Sequence, residues 1–242
     1  MAQTRIGIAG WSIAAAHNAR FPAAGSQRER YATRFDAAEI NSSFHRSHRR
    51  TTYQRWTASV PTRFRFAVKL PKTITHQRRF VDCAEPLARF ADEIGGLGEK
   101  RGPVLVQLPP SFAYPGDIAR VFFDELTSAL AGAIALEPRH ASWLDPETDA
   151  ILAKHRVARV AADPAKVPAA AVPGGWRGLA YFRLHGAPRI YWSPYDPPAI
   201  EEHATRAAAL EADGIDVWTI YDNTASGSAI DNALALAERL RA

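Results

Sequence analysis

The sequence predicts a parallel α/β fold, a (β/α)8 barrel of the TIM type, from the alternation of its apolar segments. Eight short apolar runs of strand length are separated by longer segments whose apolar residues mostly recur at helical spacing. Eight such alternations in 242 residues are typical of one barrel, whereas a doubly wound open sheet is the less favoured alternative. We therefore expect residues 1–242 to form a single domain, and an irregular barrel fits the pattern too.

The strand-like runs and the helical spacers alternate along the whole chain. The runs are Arg5–Ala9, Ala37–Asn41, Arg65–Lys69, Val104–Leu108, Ala133–Glu137, Val157–Asp163, Leu179–His185 and Asp216–Asp222. The clearest helical spacers are Leu87–Leu97, Ile118–Leu130, Pro146–His155, Ala199–Ala212 and Ala229–Leu240. The pairs Asp145-Pro146 and Asp196-Pro197 predict a helix N-cap followed by proline in the first helical position.

Composition and charge restrict the class of protein. Hydrophobic residues make up 47 % of the chain, which is typical of a globular protein. No apolar run approaches the roughly 18 residues of a membrane span, and the N-terminal residues lack the apolar stretch of a signal peptide. The only cysteine, Cys83, allows no internal disulfide and no cysteine-based metal site. We therefore expect a cytoplasmic protein without a membrane partner.

The net charge of +5 conceals a strongly basic first third. Residues 1–79 contain 15 Lys and Arg against 3 Asp and Glu, and residues 80–242 contain 15 against 22. A cationic surface favours an anionic partner, either nucleic acid or a phosphorylated small molecule. The alternative is that these charges pair with the acidic remainder or are simply solvated.

Polar residues fall at the carboxyl end of almost every predicted strand. Side chains two apart share a face, so the small and polar residues can line the interior while the large apolar ones face the helices. Barrel enzymes place their chemistry at this end. The alternative is a layer of mutually satisfied ion pairs. The polar residues are Glu39, Asn41, Lys69, Gln107, Glu137, Asp163, Arg183, His185, Asp222 and Asn223.

Several of these segments together resemble a known family. They are Gly10-Trp11-Ser12, Glu39 to Arg46, Phe66 to Lys69, Thr75-His76, Gln107 to Pro110, Glu137 to Trp143, Arg183 to Gly186, and Asp222-Asn223 through Asn232-Ala233. In this order they resemble the YecE-like family (domain of unknown function 72), over nearly the whole chain. The resemblance implies a barrel similar to those of endonuclease IV and xylose isomerase, and it assigns no activity. The chain departs from the family pattern at Pro138, at Ala141 and in a shortened segment after Asn223.

The candidate substrate is a phosphate-bearing molecule such as nucleic acid. The protein would bind this substrate and, if it is an enzyme, hydrolyse it. Glu39 and Glu137 are the candidate general acid and base, and His185 is a candidate proton carrier. The cations Lys69, Arg139 and Arg183 are suited to hold an anionic group. Asn41, Arg46, His76, Gln107 and Asn223 complete the candidate anion-binding set. The alternative is that Glu39–Lys69 and Glu137–Arg183 are ion pairs without chemistry.

Two other function classes remain open. The first is a non-catalytic module that binds nucleic acid or another anion with the same cationic face. The second is a metal-dependent isomerase or lyase, with a divalent ion held by Glu137, Asp163, His185 and Asp222. The neighbouring Arg139 and Arg183 would repel such an ion, so we do not favour a metal cofactor. A glycosidase using Glu39 and Glu137 has the weakest support, because nothing in the sequence fixes their separation.

Two basic runs follow the second and third predicted strands on the pocket side. They are His45–Arg50, extended by Arg55, and Gln77–Arg79. Such runs could track a phosphate backbone while Phe44, Tyr53 and Trp56 stack on bases. The alternative is a solvated basic face, with Tyr53 and Trp56 forming the buried stripe of one helix.

Overall fold

The computed structural model describes residues 2–241 and contains two β-sheets surrounded by helices. The first sheet has the order β1 (Thr4–Ile8), β10 (Asp216–Tyr221), β9 (Leu179–Leu184) and β7 (Ala161–Asp163). The second has the order β2 (Ala37–Ile40), β3 (Arg65–Lys69), β4 (Arg101–Gln107), β5 (Ile134–Glu137), β6 (Val157–Arg159) and β8 (Gly174–Gly175). Every pairing is parallel except that of β6 with β8. The prediction of an α/β fold with parallel strands is confirmed.

Helices follow most of the strands. They are α1 (Gln27–Tyr31), α2 (Ser42–His45), α3 (Arg50–Ala58), α4 (Ala84–Ile94), α5 (Asp117–Ala129), α6 (Pro146–Lys154), α7 (Pro197–Ala212) and α8 (Ser228–Arg239). The Asp145 side chain accepts from Glu147 N at the start of α6, and Asp196 accepts from Ala199 N at the start of α7, so both predicted caps are confirmed. Between residues 2 and 241, no helix has both the length and the apolar character that a membrane crossing requires.

The inner faces of the two sheets pack against each other. Small residues of the second sheet, such as Ala67 and Ala135, meet Tyr181 and Trp218 of the first in one buried cluster. Trp218 lies against Gly102 in β4, where a Cβ atom would be 2.4 Å from the indole ring. The large residues of the same strands face outward under the helices. The predicted division into small inner and large outer residues is confirmed in β2, β3 and β5, whereas β9 and β10 place the large Tyr181 and Trp218 on the inner face.

The two sheets also approach each other at their edges. Ala9, just after β1, forms a parallel bridge with Glu39 in β2, and Gly10 N donates to the Glu39 carbonyl at 2.8 Å. Gly7 permits this approach, because a Cβ there would lie 2.2 Å from the carbonyl oxygen of Ala37. At the other edge, Val160 alone separates β6 from β7, and its N–H donates to the Leu136 carbonyl in β5.

Two polar residues face the opposite way from the prediction. Ala161 packs with Phe182 under α7, and Asp163 Oδ1 accepts a 2.6 Å hydrogen bond from the Tyr195 hydroxyl. Asp163 therefore lies on the outer face of the sheet, and its assignment to the interior is wrong. Asn223 is also directed outward and is fully buried, where it donates to Ser193 O and to Asn232 Oδ1 in α8.

Candidate functional site

A buried arginine lies at the centre of the interior polar cluster. Arg183 in β9 is 1 % exposed and contacts three carboxylates from three other strands. Its Nη2 lies 2.8 Å from both Glu39 Oε1 and Asp222 Oδ2, and its Nη1 lies 2.8 Å from Glu137 Oε2. Its Nε also donates to Glu39 Oε2 at 3.1 Å. Because every nitrogen of the guanidinium is engaged, Arg183 neutralises carboxylates and is not free to clamp a ligand.

Glu39 is enclosed by the protein. It is 0 % exposed, and besides Arg183 it accepts a 2.8 Å hydrogen bond from the Tyr181 hydroxyl. A carboxylate so occupied has no face open to a ligand, so the geometry does not support Glu39 as the general acid or base. The ion pair of Glu39 is formed with Arg183 rather than with Lys69, whereas the pair of Glu137 with Arg183 is present as predicted.

His185 connects two of the carboxylates. Its Nε2 lies 3.0 Å from Glu137 Oε1, and its Nδ1 lies 3.1 Å from Asp222 Oδ2. Burial opposes the charged imidazolium, but the hydrogen bonds to Asp222 and Glu137 outweigh it and raise the pKa of His185. Burial likewise opposes the ionisation of Glu137 and Asp222, but Arg183 and His185 hold both pKa values below the usual range. The cluster therefore contains ionised carboxylates and a histidine biased towards the protonated form.

Three further residues form what we call the cationic rim: Lys69, His76 and Arg139. The Lys69 ammonium lies 4.2 Å from the centroid of the Phe44 ring and makes no ion pair with any residue from 2 to 241. Burial and the charge of Arg183 lower the pKa of Lys69. Arg139 donates to Glu137 Oε1 at 3.3 Å and to the Tyr191 hydroxyl at 3.4 Å.

His76 is the neutral member of the rim. Burial, together with the charges of Lys69 and Arg139, lowers its pKa. One ring nitrogen, Nδ1, lies 2.8 Å from the Thr75 hydroxyl. The sensitivity of His76 to both cations means that the three rim residues share one electrostatic environment.

Two predicted amide side chains have free hydrogen-bonding capacity beside this cluster. Gln107 pairs in register with Glu137 across β4 and β5, is 8 % exposed, and its amide makes no hydrogen bond within residues 2–241. Asn41, two residues past Glu39, has a buried Oδ1 without a partner in the same part of the chain. A buried polar atom such as Asn41 Oδ1 is costly unless a ligand or water satisfies it.

Other predicted binding residues lie away from the cluster. Arg46 is exposed and lines a separate cavity of about 110 Å³ beside α4. In the basic runs, Arg50 pairs with Asp92 at 2.7 Å, and Arg79 donates to Ser111 O while covering the Phe112 ring. Arg50 thus pairs with the acidic remainder of the chain, as that alternative states, whereas Arg46 is exposed to solvent.

The aromatic residues proposed to stack on bases are mostly part of the core. Tyr53 is 0 % exposed, and Trp56 packs against Trp11 at a centroid distance of 5.1 Å, which matches the alternative of a buried helical stripe. Phe44 contacts Lys69 and His76 and thereby borders the rim.

Three of the four proposed metal ligands, Glu137, His185 and Asp222, come together, but they surround Arg183 and not a cation site. No group of three or more His, Cys, Asp or Glu side chains within residues 2–241 is arranged to hold a metal ion. Asp163 is bonded to Tyr195 on the outer face, and the Arg183 guanidinium bridges Glu137 and Asp222. A cation at this position would be repelled by Arg183, so these residues do not fit a divalent ion.

An apolar cavity beside His185 was missed by the sequence analysis. It has a volume of about 240 Å³, and its lining includes Pro138, Ala162 and Tyr191 next to Glu137 and His185. Part of the lining belongs to the motif segment Glu137 to Trp143, and most of the rest consists of small apolar residues outside any motif. A further signal was the apolar triplet Ile190-Tyr191-Trp192 within an otherwise polar and Pro-rich loop.

Comparison with known proteins finds relatives that match either part or nearly all of this chain. The protein YunF of Bacillus subtilis is 23 % identical over 97 % of this chain and 94 % of its own length. YecE of Escherichia coli is 30 % identical over 84 residues, a match that spans 35 % of this chain and 31 % of that relative. A DUF72 family protein of Enterococcus faecalis superposes with a TM-score of 0.84 at 20 % identity, covering 99 % of this chain and 96 % of that one.

A DUF72 family protein of Thermotoga maritima also superposes, with a TM-score of 0.81 at 22 % identity and 99 % coverage of both chains. At these identities the solved structures establish a shared fold. The family model described as "Protein of unknown function DUF72" matches residues 5–242. The resemblance noted from the sequence motifs is thereby confirmed, and the chain belongs to the DUF72 family.

Proposed function

We propose that this protein binds a phosphate-bearing ligand at the cationic rim of Lys69, His76 and Arg139. The observation that carries the proposal is the Lys69 ammonium, which is half-buried and forms no ion pair in the described chain. A cation in that state is stabilised by an incoming anion. Arg139 adds planar guanidinium donors that suit phosphate oxygens, and the unsatisfied amide of Gln107 adds another donor nearby.

The charge of the whole cluster favours an anion. Three carboxylates, Glu39, Glu137 and Asp222, stand against four cationic groups: Arg183, Arg139, Lys69 and protonated His185. The cluster with His185 protonated therefore has one positive charge in excess. Arg183 and protonated His185 balance two of the three carboxylate charges in the interior, and Lys69 and Arg139 bring the positive excess to the rim.

The proposal includes the full barrel. We propose that the two sheets are halves of one closed (β/α)8 barrel formed by a single domain, residues 1–242. The Ala9–Glu39 bridge at one edge and the Val160–Leu136 hydrogen bond at the other support this closure. Glu39, Lys69, Glu137 and Arg183 would then lie at the carboxyl ends of barrel strands, where barrel proteins bind their ligands.

A second candidate function is hydrolysis of a phosphoester, favoured by the position of His185. This imidazole has a raised pKa, contacts Glu137 and Asp222, and borders the cavity beside the rim. A protonated histidine can donate a proton to a leaving oxygen, and here the ligand would first have to replace one of the two carboxylates that His185 contacts. Glu137 would hold the ring in position, because its own pKa is too low for an effective base.

The test is a titration of the purified protein with inorganic phosphate, pyrophosphate and a short single-stranded oligonucleotide, followed by calorimetry. Lys69→Met should weaken phosphate binding at least tenfold. Lys154→Met, at an exposed position of α6, serves as the matched control and should leave it unchanged. Equal affinity of the Lys69→Met protein and the wild type would refute the proposed site.

A second comparison separates an enzyme from a binding module. If phosphoester hydrolysis is detected, His185→Gln should abolish turnover while phosphate affinity changes less than in Lys69→Met. Oligonucleotide binding that is strongly salt-dependent, with no turnover of any phosphoester offered, would favour the non-catalytic module.

A further inference from the structure

The cavity beside His185 is lined mostly by apolar residues, together with a few polar and charged ones. Its apolar walls come from the loop after β5, from the segment after β7 and from the loop after β9. Glu137, Arg139 and His185 lie at its other end, so the cavity is continuous with the charged cluster. The apolar wall includes Pro138, Ala162, Ile190 and Tyr191, and the lining also contains His140 and Lys166.

We infer that this cavity binds a planar, largely apolar ring of the same ligand whose phosphate contacts the cationic rim. The ligand class is thus an organic phosphate with an aromatic ring, such as a nucleoside monophosphate. The inference rests on the proposed function, because it assumes that a phosphate is held at the rim. A mainly apolar cavity with a few polar groups at one end is the usual form of a small-molecule site.

Tyr191 gives the strongest support for an aromatic occupant. Its ring borders the cavity, is 41 % exposed, and packs edge-on against His185 with the centroids 5.4 Å apart. Its backbone has φ of 67°, a conformation that is unfavourable for a tyrosine. Two hydrogen bonds hold it there, from Tyr191 N to His185 O at 2.6 Å and from Ala225 N to Tyr191 O at 3.0 Å. An exposed aromatic ring on a backbone fixed in this way is suited to stack on a ligand ring.

The neighbouring loop residues extend this aromatic surface. Ile190 and Trp192 are 51 % and 44 % exposed, and the Arg189 guanidinium lies 4.4 Å from the centroid of the Trp192 ring. Large apolar side chains exposed together near a cavity are typical of a binding surface.

Arg139 connects the cavity with the rim. It lines the cavity, donates to the Tyr191 hydroxyl, and acts electrostatically on His76 together with Lys69. A ligand with its phosphate near Lys69 and its ring against Tyr191 would contact Arg139 between the two. An inorganic phosphate or a sugar phosphate would contact the rim and leave the cavity without a ring.

The experiment compares ligands that share a phosphate and differ in the rest. Dissociation constants would be measured by calorimetry for inorganic phosphate, ribose 5-phosphate, adenosine 5′-monophosphate and uridine 5′-monophosphate. Stacking and burial of a base should make both nucleoside monophosphates about tenfold tighter than ribose 5-phosphate. Ala162→Leu, which fills the cavity, should reduce their affinity to that of ribose 5-phosphate and leave inorganic phosphate unaffected.

Two further variants control for damage to the fold. Ala208→Leu makes the same change at an exposed position of α7 and should bind every ligand like the wild type. Tyr191→Phe keeps the ring and should retain most of the preference for the nucleoside monophosphates, whereas Tyr191→Ala should lose it.

The outcomes separate this inference from the proposed function. Equal affinities for ribose 5-phosphate and the nucleoside monophosphates, with no effect of Ala162→Leu, would overturn the ring site and leave the phosphate site standing. Failure of every phosphate compound to bind would overturn the proposed function and the inference together. A tenfold preference that Ala162→Leu and Tyr191→Ala both remove would establish the ring site.

Discussion

Arg183→Met is the substitution that most directly tests the buried cluster. The methionine keeps much of the length of the side chain but leaves Glu39, Glu137 and Asp222 without the charge that all three contact. Removing one partner of a buried ion pair costs about 3–5 kcal/mol, because the remaining charge is uncompensated. For a chain of this size, each kcal/mol lowers Tm by about 2–4 °C, so we expect a decrease on the order of 10 °C at neutral pH.

The same substitution should change how stability depends on pH. In the wild type the pKa values of Glu137 and Asp222 are lowered, so their contribution is present above the unfolded-state pKa and is lost only in acid. Without Arg183, burial dominates and raises those pKa values, so the folded protein gains stability as the carboxylates take up protons. The loss caused by Arg183→Met should therefore be smaller at pH 5 than at pH 7.5 in urea unfolding.

Arg159→Met is the matched control. Arg159 is also buried and binds Asp149 with two hydrogen bonds, of 2.6 and 3.0 Å, but the Asp149 side chain is 28 % exposed. Water can solvate that carboxylate once the arginine is gone, so the loss should be smaller and nearly equal at the two pH values. A loss below about 1 kcal/mol for Arg183→Met, or one identical at pH 5 and 7.5, would refute the account of the cluster.

Three further predictions concern single buried groups. Burial and Arg206 lower the pKa of His203 to about 4. Between pH 6.5 and 4 the unfolded chain takes up a proton on this histidine before the folded protein does, so the free energy of unfolding of the wild type should fall by about 3 kcal/mol. His203→Gln should not show this decrease in urea unfolding. The Tyr221 hydroxyl is buried without a partner among residues 2–241, so Tyr221→Phe should not lower Tm, whereas Tyr181→Phe should cost about 1–3 kcal/mol. Glu39→Gln removes a negative charge from the cluster and should strengthen phosphate binding in calorimetry, and weaker binding by a folded variant would contradict the charge count.

The strands, most helices and the location of the polar residues were predictable from the sequence. Strand phase was determined wherever small and large residues alternate, as in Ala37–Ile40, because only one face can pack against the helices. The caps Asp145 and Asp196 were predictable because their geometry is local. Parallel strands end at one edge of a sheet, which brought Glu137 and His185 into the same cluster as expected.

Two kinds of error have a physical cause. The segment Val157–Asp163 carries small or apolar residues on both faces, and its polar residues Arg159 and Asp163 share one face, so the pattern did not fix the phase and Asp163 was assigned to the wrong side. The choice of partner for Glu39 depended on distances across the interior, between β2 and β9, which no local pattern encodes. The apolar cavity is formed mainly by three loops. Hydrophobic periodicity predicts strands and helices, but it does not predict the conformation of loops.

The sequence left two competing explanations of the same residues, a layer of ion pairs and a ligand pocket. The geometry connects the two, because the ion pairs are a condition for an anion to bind beside them. The carboxylates at the end of the strands would repel a phosphate if they were uncompensated. Arg183 and His185 contact all of them from within, so Arg139 needs to give only one long hydrogen bond to Glu137, and Lys69 gives none. The buried layer thereby leaves the positive charge of the outermost cations available to an anion. A structural role for Glu39 and Arg183 is for this reason part of the proposed binding function.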